Sequence, residues 1–492
     1  MKRLLTTICM TLCLAQGHAQ DSHQRLQNFF NDFRREAHEE FNSFRRQCMA
    51  EYLSFLADPW KEFNAEQTVP VPHDETVPPA PPVRPHDDEQ PAPVDDTPVE
   101  IDEVVTPAPV PPQPQPVAPI EEERVEEMKY VDFKFYGTLL RVRFDKADCV
   151  RLNQLSEQAA ADALNRMSQR GYDNLLIDCL ALRDELHLCD WAYVQMAGTL
   201  AQSIADGRKN DAALLQAYVL LQSGYRCRLG MDASRLYILV ASPYIIFDYN
   251  CYRLDGILYY GLEPLPSSMY ISEAGFRQER TLSLSMQQLP QLSQQPGQPR
   301  TLASQSHPSV SATVTSNENI IRFLGDYPRS EYGGDVMTQW ATYANTPLDA
   351  NVAGTLYPAL QRHIEGKGQV EAVGVLLEFV QQTIIYGYDD ELWGGDRPFF
   401  ADETLYYPYG DCEDHAILFA RLVRDLLGLN VVLVYYPGHL ATAVELTAPS
   451  AHGDYLELNG RRFFVCDPTS SEPVGRTRSD MDNRKAKVIM LR

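Results

Sequence analysis

From Lys129 onward, apolar and polar positions alternate in short blocks, and the period of each block predicts its element. Tyr130 to Phe144 alternates every second residue, as half-buried strands do, with Tyr136-Gly137 as the turn. Leu152 to Arg170, Trp191 to Ile204 and Ala212 to Gln222 carry helical spacing, and Ser223-Gly224 ends the last of them. Strands are expected near 225–229, 236–241 and 251–260, with Asp255-Gly256 as a hairpin turn.

Residues 271–345 are polar and mixed. Thr281 to Met286 and Ser309 to Thr315 alternate as exposed strands do, around a loop rich in Gln, Ser and Pro over 287–308. The region reads as a β-rich bridge over 271–350. Helices resume at Val352–Ile364 and Ala372–Tyr386. A loop bearing glycines and acids, Glu391 to Asp402, leads to a helix whose buried face is Ile417, Leu418, Val423, Leu426 and Leu427, and Gly428 ends it. Asn430 to Tyr436 is a buried strand, Pro437-Gly438 turns the chain, and His439 opens the next strand. Tyr455–Leu458 and Arg461–Cys466 flank Asn459-Gly460, the strongest short hairpin signal.

Slid by 204 residues, the two runs register without a gap over about 60 positions. Gly224 falls on Gly428, Leu236 on Leu440, Val240 on Val444, Leu254-Asp255-Gly256 on Leu458-Asn459-Gly460, and Glu263-Pro264 on Asp467-Pro468. Arg208 falls on Cys412 and Arg235 on His439. Two copies of one helix-then-sheet unit are therefore expected, over 129–270 and 351–492, the first without a nucleophile or base.

Upstream the pattern changes. Phe30, Phe41, Tyr52 and Phe63 fall eleven residues apart, as do Phe33, Phe44 and Phe55. Eleven residues make about three helical turns, so residues 20–64 predict a helix with one aromatic stripe. Such a stripe needs a partner surface, by self-association, on another protein or on this chain's own globular part. Asp58-Pro59 should stop or kink it. Residues 65–128 hold half of the chain's 34 prolines, and 66–128 hold sixteen acidic and two basic residues. Proline removes backbone donors and like charges repel, so this stretch is expected to be a disordered spacer.

Residues 1–19 read as a secretory leader. Lys2 and Arg3 precede the apolar run Leu4 to Leu14, and Gly17-His18-Ala19 ends in small residues. No later run is apolar enough to span a membrane, so the chain is expected in the periplasm, the cell envelope or outside the cell. The net charge of −24 comes largely from the spacer, and no basic stripe suggests nucleic acid. Eight cysteines follow the leader without metal-site spacing, and buried free thiols are the expectation. No cofactor and no metal is expected.

The candidate chemistry centres on Gly410-Asp411-Cys412-Glu413-Asp414-His415. A cysteine at a helix start lies where N–H dipoles favour a thiolate, the reactive form. His439 and Asp467 follow in order, completing a sulfur nucleophile, an imidazole base and a carboxylate to orient it. His415, one turn after Cys412, is the rival base or a metal ligand; otherwise it is a surface or supporting histidine. Glu413 and Asp414 oppose a thiolate if they point inward. Asp389, Asp390, Glu391 and Asp396 fit no cation-loop spacing and read as a solvated loop. His452 reads as solvated, and Cys466 as buried.

Gly410-Asp411-Cys412, His439 at a strand start and Asp467-Pro468 in the next hairpin resemble the transglutaminase-like cysteine peptidase superfamily, over roughly residues 350–475. The layout of leader, Pro-rich spacer and C-terminal catalytic-like unit also resembles secreted Bacteroidetes proteins. The resemblance implies a papain-like α+β fold. Cys412 would attack a carboxamide or peptide carbonyl, His439 would take the thiol proton and give it to the leaving amine, and Asp467 would fix the imidazole tautomer. The Cys412 N–H would be one oxyanion donor, and a second would come from upstream, with Trp393, Gln381 and Tyr409 as candidates. An NlpC/P60-type cell-wall peptidase fits Asp467-Pro468 less well.

The expectation is thus an α+β chain with two transglutaminase-like units, the first degenerate. Its leading function is exported thiol chemistry on a protein or peptide substrate, hydrolysing or transferring the acyl group of an amide, peptide or isopeptide bond. The competing class is a non-catalytic envelope interaction or scaffold protein that keeps the fold.

Overall fold

The computed structural model describes residues 59–72, 95–118, 120–169, 171–273, 278–389, 393, 395–478, 481 and 486–492. The leader, most of the striped helix, Cys48, Asp390 and Glu391 lie outside the described residues. The chain is mixed α and β, with helices packed on strongly curled sheets.

Short strands come first: β1 (Lys61–Asn64), β2 (Thr97–Pro98), β3 (Ile101–Val105) and the hairpin β4 (Tyr130–Phe135) and β5 (Thr138–Arg143). Helices α1 (Glu157–Gln169), α2 (Asp173–Glu185), α3 (Asp190–Ala205) and α4 (Lys209–Gln222) follow. Then come β6 (Cys227–Met231), β7 (Leu236–Ser242), β8 (Tyr244–Ile246), β9 (Cys251–Leu254), β10 (Ile257–Gly261) and β11 (Ser268–Ile271). The bridge holds β12 (Arg300–Ala303), β13 (Ser311–Val314), α5 (Glu318–Gly325), β14 (Ser330–Tyr332) and α6 (Thr338–Asn345). The C-terminal part has α7 (Ala350–Ile364), α8 (Gln369–Thr383), β15 (Ile385–Tyr386), α9 (Ala401–Tyr406), β16 (Tyr409–Gly410) and α10 (Cys412–Leu427). Strands β17 (Val431–Tyr436), β18 (His439–Glu445), β19 (Asp454–Leu458), β20 (Arg461–Cys466) and β21 (Ala486–Met490) close the chain.

The first sheet runs β1-β11-β6-β7-β10-β9, and the second β2-β19-β20-β18-β17-β21-β3. Their central ladders share one register at the 204-residue offset. Cys227 faces Val240 as Val431 faces Val444, and Met231 faces Leu236 as Tyr435 faces Leu440. Ile257 faces Leu254 as Arg461 faces Leu458, and Tyr260 faces Val240 as Phe464 faces Val444. The hairpin residues agree too, with φ of 49° and 79° at Asp255-Gly256 and 51° and 74° at Asn459-Gly460. Each sheet packs one face on helices and fills its other face with its own apolar set. In the first that set includes Tyr237, Leu239, Tyr252 and Tyr259; in the second, Ala441, Ala443, Leu456 and Phe463, the same four positions.

Several expectations are corrected. Residues 61–64 are not helical: past Pro59 they form an edge strand antiparallel to β11, with Phe63 opposite Met269. The spacer is ordered where it is described. β2 and β3 lie only two residues apart, yet they border opposite edges of the second sheet, through β19 and β21. Val99 and Val105 are buried there. Farther on, Arg183 donates to Pro114 O at 3.1 Å, Val117 N to Gln222 O at 3.1 Å and Asn174 Nδ2 to Glu123 O at 2.9 Å. The physical reason is placement: proline costs nothing where no ladder donor is required, and the valines between the prolines supply apolar surface.

Residues 281–286 form no ladder, and Leu282, Leu284 and Met286 are buried rather than exposed. The 287–308 loop contains β12, which pairs with β13. The helix expected to reach Tyr386 ends at Thr383, and β15 follows. Helices α2, α5, α6 and α9 and strand β21 had no clear signal in the pattern.

Candidate functional site

Helix α10 begins at Cys412, with Asp411 as its N-cap, and ends at Gly428 in the left-handed conformation. Asp414 ties the start down. Its Oδ2 accepts from Asp411 N at 3.2 Å and its Oδ1 from Phe399 N at 2.7 Å. A Cβ at residue 410 would stand 2.9 Å from Asp414 Oδ2, so only glycine fits before the N-cap. β15 runs parallel to β16, which sets Tyr386 opposite Gly410.

Strand β18 opens with His439, as the Pro437-Gly438 turn requires. Its Nε2 lies 3.2 Å from Asp467 Oδ2, and both residues are buried. Asp467 Oδ1 accepts from the Thr469 hydroxyl at 2.6 Å and from Thr469 N at 3.0 Å. Burial pushes the Asp467 pKa up, but the His439 ring and the two Thr469 donors outweigh it and hold the carboxyl below its usual range. Thr469, two residues beyond Asp467, is a site residue that the sequence pattern did not mark.

Cys412 is half-buried, with its sulfur beside the Leu440 backbone amide, one residue beyond His439. Its thiol donates to Glu413 Oε2 at 3.1 Å. No hydrogen bond joins the sulfur to His439, whose Nδ1 is buried without a partner. Burial, then the Glu413 and Asp411 carboxylates, push the thiol pKa well above its usual value; the Leu440 amide opposes them. The thiolate expected at a helix start is therefore not favoured here, because burial and the acids on the same turn both disfavour it.

Those acids belong to a larger cluster. Asp389, Asp396 and Asp411 each bring one oxygen within 4.8 Å of the others, and one oxygen each of Asp411 and Glu413 lies within the same distance of the Cys412 sulfur. Burial first, then Glu413 and Asp389, raise Asp396 to about 8. Burial and neighbouring carboxylates raise Asp411 and Asp414 well above the usual range. Asp411 Oδ1 is buried with no hydrogen-bond partner. Asp389 is buried and accepts from Arg397 N at 2.6 Å, so the solvated-loop expectation is corrected for it and for the half-buried Asp396. Oxygen ligands of this kind and spacing suit a hard divalent cation. Asp390 and Glu391 lie outside the described residues.

The three candidates for a second oxyanion donor fare differently. Gln381 is a strut: its Nε2 donates to Asp467 O at 2.9 Å and to Glu472 O at 3.0 Å. Trp393, 42% exposed, lies under the Arg397 guanidinium at 4.6 Å and packs on Phe399 and Tyr407. Tyr409 is 41% exposed on β16. His415 is buried, with Nδ1 2.6 Å from Asp411 O and Nε2 3.3 Å from Ile384 O, so it braces the helix start and is not free to act as base. Exposed His452 pairs with Asp96 at 3.1 Å. Cys466 is buried, and the seven described cysteines are all free thiols.

In the first sheet, Arg235 pairs with Glu263 at 2.7 Å, the positions that align with His439 and Asp467. Arg208 pairs with Asp211 at 2.6 Å at the start of α4. A cavity of about 660 Å³ lies between the two halves, lined by Tyr249, Arg329, Trp393, Asp396, Arg397 and other residues. Asp396 belongs to both this cavity and the acidic cluster.

No family model, curated protein or solved structure matches the chain.

Proposed function

We propose that the C-terminal half is a transglutaminase-like thiol enzyme that acts on an amide, peptide or isopeptide bond through Cys412, His439 and Asp467. The observation that carries this reading is the state of His439. Its Nε2 is committed to a buried carboxylate, while its Nδ1 is buried, unsatisfied and one residue from the amide beside the Cys412 sulfur. A buried imidazole nitrogen without a partner is costly, and a thiol proton is what it lacks. In the reaction Cys412 passes that proton to Nδ1, and the ring later delivers it to the leaving amine. Asp467 holds the ring with Nε2 protonated throughout.

The resting thiol instead bonds to Glu413, and the surrounding carboxylates hold its proton in place. A divalent cation bound by Asp389, Asp396, Asp411 and Glu413 would neutralise that potential. Asp411 and Glu413 would orient toward the ion, which frees Cys412 to turn to His439. The cavity between the halves offers room for substrate beside this point.

We also infer that the two sheet units arose by duplication. The common register, the matching hairpins and the shared inner apolar positions at one offset support this. Arg235–Glu263 would then be an ion pair standing where the catalytic copy keeps its base and acid.

The second reading is an exported scaffold that retains the fold. The raised thiol pKa and the open Cys412–His439 contact favour it. Labelling the folded chain with iodoacetamide, with and without calcium, and locating the label by mass spectrometry separates the two. The enzyme reading requires Cys412 to react faster than a model thiol under one of these conditions, and Cys412→Ala to lose the label while staying folded. A Cys412 no more reactive than the model thiol in both leaves the scaffold.

A further inference from the structure

An acyl transfer at Cys412 needs two donors for the carbonyl oxygen that becomes negative, and the helix start supplies one, the Cys412 N–H. Of the three residues expected to give the other, Gln381 has both amide hydrogens in use, Trp393 is held by Arg397, and Tyr409 is turned partly to solvent.

A fourth residue borders the helix start. Parallel pairing of β15 and β16 places Tyr386 opposite Gly410, two residues before Cys412, and residue 410 has no side chain to intervene. The Tyr386 ring is fixed from two sides, 5.9 Å from the His415 ring on the first turn of α10 and 5.5 Å from that of Tyr388. Burial, then the neighbouring Cys412, Asp411 and Glu413, push the Tyr386 phenol pKa up. No group among the described residues bonds to its hydroxyl. A phenol stays protonated at ordinary pH and so remains a donor.

We propose that the Tyr386 hydroxyl is the second donor to the substrate carbonyl oxygen; this rests on the thiol-enzyme reading above. In the step concerned, the sulfur lone pair forms the S–C bond and the carbonyl π pair moves onto oxygen, while the thiol proton sits on His439 Nδ1. Tyr386 O–H and Cys412 N–H both donate to that oxygen. Collapse restores the C=O bond, breaks the bond to the leaving group, and the leaving group takes the proton from His439.

The test compares two reagents on the full chain with calcium present. p-Nitrophenyl acetate acylates the thiol through a tetrahedral oxyanion; iodoacetamide alkylates it by displacement and forms none. Tyr386→Phe keeps the ring contacts and removes only the hydroxyl. Acetylation of Cys412 should slow by roughly 10²-fold. Alkylation of Cys412 should keep its wild-type rate, which also shows that the site is folded. Unchanged acetylation overturns the role of Tyr386 and leaves the thiol reading standing. Equal loss in both reactions makes Tyr386 a support of the thiol and overturns the proposal. A wild-type chain alkylated but never acetylated at Cys412 removes the thiol-enzyme reading, and the donor with it.

Discussion

Thr469 is the residue on which the geometry of Asp467 depends, since it gives two of the three donors that the buried carboxylate receives. Thr469→Val should cost about 1–2 kcal/mol in urea denaturation, because one Asp467 oxygen loses its hydroxyl partner. The pH response follows from the lowered Asp467 pKa. A carboxylate held below its unfolded value contributes stability above that value and loses it as pH falls through the folded one. Asp467→Asn should therefore flatten the acid limb of the stability curve, below about pH 4.

Glu403 has the opposite sign. Burial outweighs its bonds to Arg397 and raises it from 4.5 to about 7. Between these values the folded chain holds a proton that the unfolded chain has released, so stability falls as pH rises through the window. The melting temperature of Glu403→Gln should lack that slope. Cys412, His439 and Asp467 stand out in the sequence because turn or glycine residues mark where the first two begin their elements and where the strand before Asp467 ends. The acidic cluster could not, because Asp389, Asp396 and Asp411 come from separate segments and meet only through packing.

At the scale of elements, the strands near the site follow their pattern closely, since alternation and Asn459-Gly460 leave one register. The 95–128 stretch does not, because its composition matches a disordered chain and only neighbours far away in sequence give it structure. Its two adjacent valines allow a clean test. Val105 is buried in the core, whereas Val104 is 48% exposed. Val105→Asp should destabilise the protein by roughly 3 kcal/mol, and Val104→Asp by less than about 0.5, both read from denaturant midpoints. Equal effects would mean that β3 does not seal the sheet.

For the whole molecule, the consequence of five acids crowded at one helix start is linkage to cations. Calcium that binds only the folded chain should raise stability by about 2.7 kcal/mol at a concentration one hundred times its dissociation constant. Thermal unfolding after chelator treatment, with calcium and then magnesium added back, reads this directly, and Asp411→Asn should abolish the gain. No shift with either ion removes the cation from the proposed mechanism. The common register of the two central ladders was legible at this scale, because one offset aligned the turn residues of both; the closure of the second sheet by residues 97–105 was not, because that pairing joins segments more than 350 residues apart.

That closure has a consequence for biosynthesis. Residues 97–105 leave the ribosome long before their neighbours β19 and β21 exist. The C-terminal sheet can be sealed only after β21 is made, by a contact of very high sequence separation. Such pairings are slow, since loop entropy must be overcome before any gain is realised. The sheet that carries His439, and on which the Cys412 helix packs, is therefore closed late in synthesis.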